Sequence, residues 1–100
     1  MTTPENKVKA KVKKLLATYG DEIYQFWPVQ TGMGAATLDC LVCANAWFIS
    51  IETKTRGKWL TPRQEQTAAA IKDAGGKVFV VDGDEALAEL KRYLDEVFDI

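Results

Sequence analysis

Residues 37–54 read TLDCLVCANAWFISIETK, two short apolar, β-rich runs (37–44 and 47–54) separated by Asn45-Ala46. Two residues between such runs, with a turn-prone asparagine first, is hairpin spacing, so the stretch reads as an antiparallel pair. With Asn45 and Ala46 in the turn, Ala44 faces Trp47, Cys43 faces Phe48, Leu41 faces Ser50 and Asp39 faces Glu52. Directly opposed residues share a face of the sheet, and Lys54, two residues past Glu52, belongs to that face. Opposed like charges destabilise a ladder. A chain that sets Asp39 against Glu52 therefore needs a compensating cation: Lys54 supplies one charge, and a bound divalent metal would supply more.

Asp39, then Glu52-Thr53-Lys54, then Gln64 beyond a basic loop, resembles the D…ExK…Q pattern of the PD-(D/E)XK nuclease superfamily, and especially its small stand-alone VRR-NUC branch of virus-type replication-repair nucleases, common in phages. The likeness runs over residues 3–81, with Leu38 where the superfamily's name puts proline. An ExK tripeptide is frequent by chance; the order, spacing and placement of the motifs together carry the resemblance.

The resemblance implies an α/β fold, a restriction-endonuclease-like αβββαβ core with a mixed sheet and a C-terminal helix, in a single VRR-NUC-like domain over residues 1–100. It implies a metal-dependent DNA endonuclease that hydrolyses phosphodiester bonds, selective for branched DNA such as Holliday junctions, working as a homodimer. Mg²⁺ or Mn²⁺ would be held by Asp39, Glu52 and the Thr53 backbone carbonyl. In several such families a glutamate of the first helix helps position the metal shell; Glu5 is the acidic residue available there, although a first-turn carboxylate equally suits the helix dipole. Lys54 would orient or help deprotonate the attacking water, or stabilise charge on the phosphoryl oxygens. Gln64 would hold a water or a backbone phosphate. The setting implied is phage or prophage DNA processing in a bacterial cytoplasm.

Composition agrees with chemistry of this kind by exclusion. The chain has no histidine, which removes Ser-His-Asp triads, Cys-His nucleophiles and His-ligated zinc. Carboxylates, lysine and metal remain. The net charge of -1 is unevenly spread: residues 1–20 carry +4, 21–50 carry -3, 51–80 carry +3 and 81–100 carry -5. Two basic segments could meet a polyanion while the acidic end faces elsewhere; the same counts also fit ordinary solvated helix faces. No apolar run is long enough to span a membrane, and the first residues lack the apolar centre of a signal peptide. A soluble intracellular protein is expected. Cys40 and Cys43 form a C-x-x-C string inside a strand, where three-residue spacing sends the side chains to opposite faces. With no second pair to complete a zinc site, buried reduced cysteines are expected.

Along the chain, Thr3 and Pro4 mark the cap and first position of a helix whose apolar stripe is Val8, Val12, Leu15, Leu16 and Tyr19, with Gly20 past its end. Of its five lysines, Lys7, Lys11 and Lys14 are assigned to phosphate contact, with solubility as the alternative. Residues 22–30, EIYQFWPVQ, read as a strand broken by Pro28, which calls for an edge position or a bulge, its aromatics serving the core or a dimer contact. Residues 31–36, with Gly32 and Gly34, are a loop. Residues 55–60, TRGKWL, interleave Arg56 and Lys58 with Trp59; the two cations are assigned to DNA together with Arg63, and the Trp59 ring to covering the core.

Thr61-Pro62-Arg63-Gln64 is a capping box, and Gln64 also starts the stripe of Ala68, Ile71 and Gly75. Gln64 rather than Gln66 is therefore the candidate, as cap, site residue or both. Gly75-Gly76 ends that helix. Residues 77–82, KVFVVD, read as a strand buried on both faces, followed by a helix capped by Asp82 or Asp84 with Leu87, Leu90, Leu94, Val97 and Phe98 inward. A second reading, from another class, keeps the fold and the Asp39/Glu52/Lys54 cluster as structure in a non-catalytic nucleic-acid-binding or assembly module.

Overall fold

The computed structural model describes residues 3–30 and 34–100. The expected α-β-β-β-α-β-α order is found: α1 (Pro4–Ala17), β1 (Ile23–Phe26), β2 (Cys40–Ala44), β3 (Trp47–Thr53), α2 (Pro62–Asp73), β4 (Lys77–Val81) and α3 (Asp84–Val97), with a 3₁₀ turn at Gly20–Glu22. The four strands lie in the order β1-β2-β3-β4, with β1, β2 and β3 antiparallel and β4 parallel to β3. The molecule is thus α/β with a mixed sheet flanked by helices. Two-residue connections suffice for antiparallel neighbours, whereas the parallel β4 requires a long crossover, which α2 provides.

The hairpin has the expected register, with Ala44 opposite Trp47, Cys43 opposite Phe48 and Leu41 opposite Ser50. Its two-residue turn puts both Asn45 (φ 49°) and Ala46 (φ 71°) in the left-handed region, the geometry that matches the twist of the flanking strands. Asparagine tolerates that conformation; alanine does so at a cost. The Asn45 side chain also donates to the Val97 carbonyl at the end of α3, 2.9 Å away, tying turn to helix.

Alternation along the strands separates two layers. Ile23, Cys40, Val42, Ala44, Ile49, Ile51 and Val81 face Val12 and Leu16 of α1 and Leu90 and Leu94 of α3, and this is the core. The opposite face, carrying Phe48 and Glu52, meets α2. There Gly76 leaves no room for a side chain, since a Cβ at that position would stand 2.7 Å from Ile71 of α2 and 3.0 Å from Phe48 of β3. The preceding Gly75 (φ 98°) closes α2 with its N–H on the Lys72 carbonyl, while the Gly76 N–H reaches Ile71, the paired bonds of a Schellman ending.

Several expectations require correction. β1 stops at Phe26, because Pro28 cannot continue a ladder, and Glu22 lies in the 3₁₀ turn. It is an edge strand as expected, but of its aromatics Trp27 packs against the core while Tyr24 and Phe26 are exposed. Strand β4 is the opposite edge rather than a strand buried on both faces, and Val80 is exposed. Gly83 occupies the cap position of α3 with no side-chain bond, and Asp84 is its first residue. The helix α1 ends at Ala17 with Thr18 as its cap, so Gly20 (φ 57°) starts the 3₁₀ turn instead. Of the cysteines, both free, Cys40 is buried and Cys43 exposed; burial pushes the Cys40 thiol up to about 12. Trp59 does not cover the core: it is 87% exposed. Gly32 lies outside the described residues.

Replacing Ala46 by glycine should stabilise the protein by about 1 kcal/mol, because glycine adopts the left-handed turn without the steric cost of a Cβ. Urea unfolding monitored by circular dichroism measures the difference.

Candidate active site

The last backbone pair of the hairpin ladder is Cys40 with Ile51, so the register continues to Asp39 opposite Glu52. At that rung the side chains replace the backbone acceptors. The Asp39 N–H donates to Glu52 Oε1 (3.1 Å), and the Thr53 N–H donates to Asp39 Oδ2 (2.9 Å), which also accepts from the Thr53 hydroxyl (2.6 Å). Each carboxylate thereby closes a backbone donor of the other strand.

The shared face expected for Asp39 and Glu52 is not kept: Asp39 precedes β2, so strict alternation does not bind its side chain. Its carboxylate leans across the strand end toward Thr53 and the α1 layer, while Glu52 points toward α2. The two acids meet at the rim of the sheet. They remain coupled: burial first, then the Asp39 charge, pushes the Glu52 carboxyl up from 4.5 to about 7, against the pull of Lys54 and of the Asp39 N–H. Glu52 is 3% exposed; few carboxylates are so buried without a partner cation.

Lys54 places its Nζ 3.8 Å from Glu52 Oε2, held by its own N–H on the Val81 carbonyl of β4. Gln64 does two things at once. Its Oε1 accepts from the Thr61 N–H (2.9 Å) to complete the capping box, which turns its amide nitrogen onto Glu52 Oε2 at 2.8 Å. The cap fixes which end of the amide meets the acid.

Of the remaining candidates, Glu5 is drawn near enough for its charge to act on Glu52, yet among the described residues no three Asp, Glu, Cys or His side chains converge as a metal-holding group. Glu5 therefore stays outside the acidic pair. Lys7, Lys11 and Lys14 share a stripe about half a turn around α1 from the one carrying Glu5, Lys9, Val12 and Leu16, so they do not face the site. Lys11 instead pairs with Asp84 of α3 at 2.8 Å. Arg56, Lys58 and Arg63 are exposed on the loop and first turn beside the site.

Two residues absent from the sequence candidates contact Asp39. Lys9 lies with its Nζ 3.9 Å from Oδ1, and Gln30 donates to Oδ1 from 3.2 Å. Lys9 was legible as the residue one turn beyond Glu5 on the inward stripe; Gln30 carries no such signal, since only the return of the chain from β1 brings it to the acid.

The donor set suits a hard divalent cation. All candidate ligands are oxygens, as Mg²⁺ prefers, and that ion keeps several waters, so two carboxylates and one carbonyl suffice. In an extended strand a residue's N–H and C=O leave on the same side; since the Thr53 N–H points at Asp39, its carbonyl does too. Each carboxylate oxygen already accepts a protein hydrogen bond, but each has a second lone pair.

Comparison of the chain with family models, with curated proteins and with solved structures finds no match.

The raised Glu52 gives stability a definite pH dependence. Between about pH 4.5 and pH 7 the folded protein holds a proton that the unfolded chain has released, so without divalent cation stability should fall as pH rises through that window, by an amount on the order of 3 kcal/mol. Glu52→Gln should flatten that slope. Unfolding midpoints at pH 5 and pH 8, with and without millimolar Mg²⁺, measure both effects, and the cation should stabilise wild type more at pH 8.

Proposed function

We propose that this protein is a divalent-metal-dependent DNA endonuclease of the PD-(D/E)XK type, with the αβββαβ restriction-endonuclease-like core, acting on branched DNA. The observation that carries the reading is the convergence of Asp39, Glu52, Lys54 and Gln64 at one strand end from positions spread over 26 residues of chain. The hairpin register accounts for the two acids, but neither it nor the capping box requires Gln64 to arrive at Glu52. The antiparallel meander followed by a parallel β4 also fits the proposed core.

Phosphodiester hydrolysis needs a nucleophilic water, neutralised phosphoryl oxygens and relief of charge on the leaving oxygen. A divalent cation held by Asp39, Glu52 and the Thr53 carbonyl would supply electrophilic stabilisation and a more acidic water. Glu52, already costly as a buried anion, gives the site its appetite for positive charge. Lys54 orients the water or meets the charge on a phosphoryl oxygen. Gln64 keeps Glu52 aimed while its capping bond holds the amide still. Arg56, Lys58 and Arg63 bind backbone phosphates without reading bases.

The test uses supercoiled plasmid and four-way junctions with Mg²⁺ or Mn²⁺, and with EDTA as control. Wild type should cleave, and Asp39→Ala and Lys54→Ala should each lose roughly a hundredfold or more in rate while still binding DNA. One observation favours a second reading: every oxygen of both acids is already hydrogen-bonded within the protein. A non-catalytic DNA-binding module would keep them so, and wild type and variants would then be equally inert while binding DNA.

A second copy of the chain completes the proposal. Tyr24, Phe26 and Phe48 are exposed on the part of the sheet that α2 leaves open, beside an apolar groove of about 950 Å³. Exposed apolar clusters of this kind mark interaction surfaces, and two symmetric DNA strands call for two sites. Sedimentation should report a dimer, and Phe26→Glu should shift it to monomer.

A further inference from the structure

The aromatic that sequence reasoning assigns to the core stands in solvent beside the acids. Trp59 is 87% exposed; among the described residues its indole N–H has no hydrogen-bond partner, and no other ring or cation lies over it. The other two tryptophans are less extreme, Trp27 being packed against the core under Lys13 at 4.8 Å and Trp47 being half exposed at the start of β3. Water is a costly environment for so large an apolar surface. Trp59 calls for an occupant.

Its loop is short and pinned at both ends to the same carboxylate. Lys54 at the start approaches Glu52, and the Thr61–Gln64 cap at the finish delivers Gln64 to Glu52. Between them the Lys58 N–H bonds the Thr55 carbonyl at 3.1 Å with Gly57 at φ 84°, a type II turn with Arg56 at its corner. Trp59 follows the turn directly, two residues and so at most about 7 Å of chain from Thr61. It is held at the rim of the site by a formed turn. Arg56 and Lys58 flank it, exposed, and among the described residues neither is in an ion pair.

We propose that Trp59 is a stacking platform for an unpaired nucleobase of the DNA, with Arg56 and Lys58 on the adjoining phosphates. The inference rests on the nucleic-acid reading above and extends it to how the site selects a branch. A flat apolar face accepts any base. A fully paired duplex keeps its bases stacked on one another and offers none to the ring, whereas the single strands of a fork or flap do. Trp59 therefore acts on substrate structure and not on the phosphoryl chemistry.

Binding is measured by fluorescence anisotropy in EDTA, which prevents cleavage, using a forked duplex with unpaired arms and a fully paired duplex of equal length. Trp59→Ala should weaken binding to the fork by roughly tenfold to a hundredfold and to the paired duplex by less than about twofold. Trp59→Phe should recover most of the loss, and Arg56→Ala should weaken both substrates alike. Equal losses of Trp59→Ala on the two substrates, or none, would overturn the stacking role while leaving the nuclease reading intact. Inert wild type with Mg²⁺ and Mn²⁺ that still shows the fork-selective loss would overturn only the nuclease reading; wild type that binds neither DNA overturns both.

Discussion

The exchange of hydrogen bonds across the open end of the hairpin, Asp39 N–H to Glu52 and Thr53 N–H to Asp39, governs the rest of the structure. It places two acids where a ladder would ordinarily end in backbone bonds. The balance of terms differs for the two. Asp39 gains charge-assisted bonds from the Thr53 N–H and hydroxyl, each worth more than a neutral hydrogen bond. Glu52 is more deeply buried, and its donors do not offset desolvation and the neighbouring charge, which is why its carboxyl is pushed up to about 7. The pair is held close but not neutralised. Such an arrangement favours an added cation near neutral pH and disfavours one when the acid is protonated.

Both layers of the fold serve that strand end. The helix α1, packed on the core side through Val12 and Leu16, brings Lys9 to Asp39. The helix α2, on the other side, brings Gln64 to Glu52. Since Gln64 is also the capping-box residue of α2, the start of the crossover helix and the orientation of the acid are one event. A capping box of this kind restricts the amide to a single orientation, and the site inherits that rigidity.

The same economy leaves surfaces uncovered. Only part of the second sheet face lies under α2, so Tyr24 and Phe26 of β1 and Phe48 of β3 remain open. The loop joining β3 to α2 has both ends committed to Glu52, and its one aromatic side chain projects outward. Rigid support beneath and apolar surface above suit contact with another molecule in both places. No helix among the described residues is long and apolar enough to cross a membrane.

Much of this was readable from the chain alone wherever a local rule decides. Asn45-Ala46 between two β-rich runs set the register that opposes Asp39 and Glu52, Thr61-Pro62-Arg63-Gln64 set the start of α2, and Gly75-Gly76 its end, because turn and cap geometry depend on a few adjacent residues. Composition removed histidine chemistry in the same way. What required the tertiary structure depends on neighbours distant in sequence. An apolar run such as 77–82 does not say whether a fifth strand will cover it, a tryptophan after a basic turn does not say whether the loop folds inward, and a lysine-rich helix does not say which lysines face the sheet. Glu52's raised pKa and the contacts of Lys9 and Gln30 belong to that second kind. Burial and long-range charge are sums over the assembled fold, whereas turns and caps are settled within a few residues.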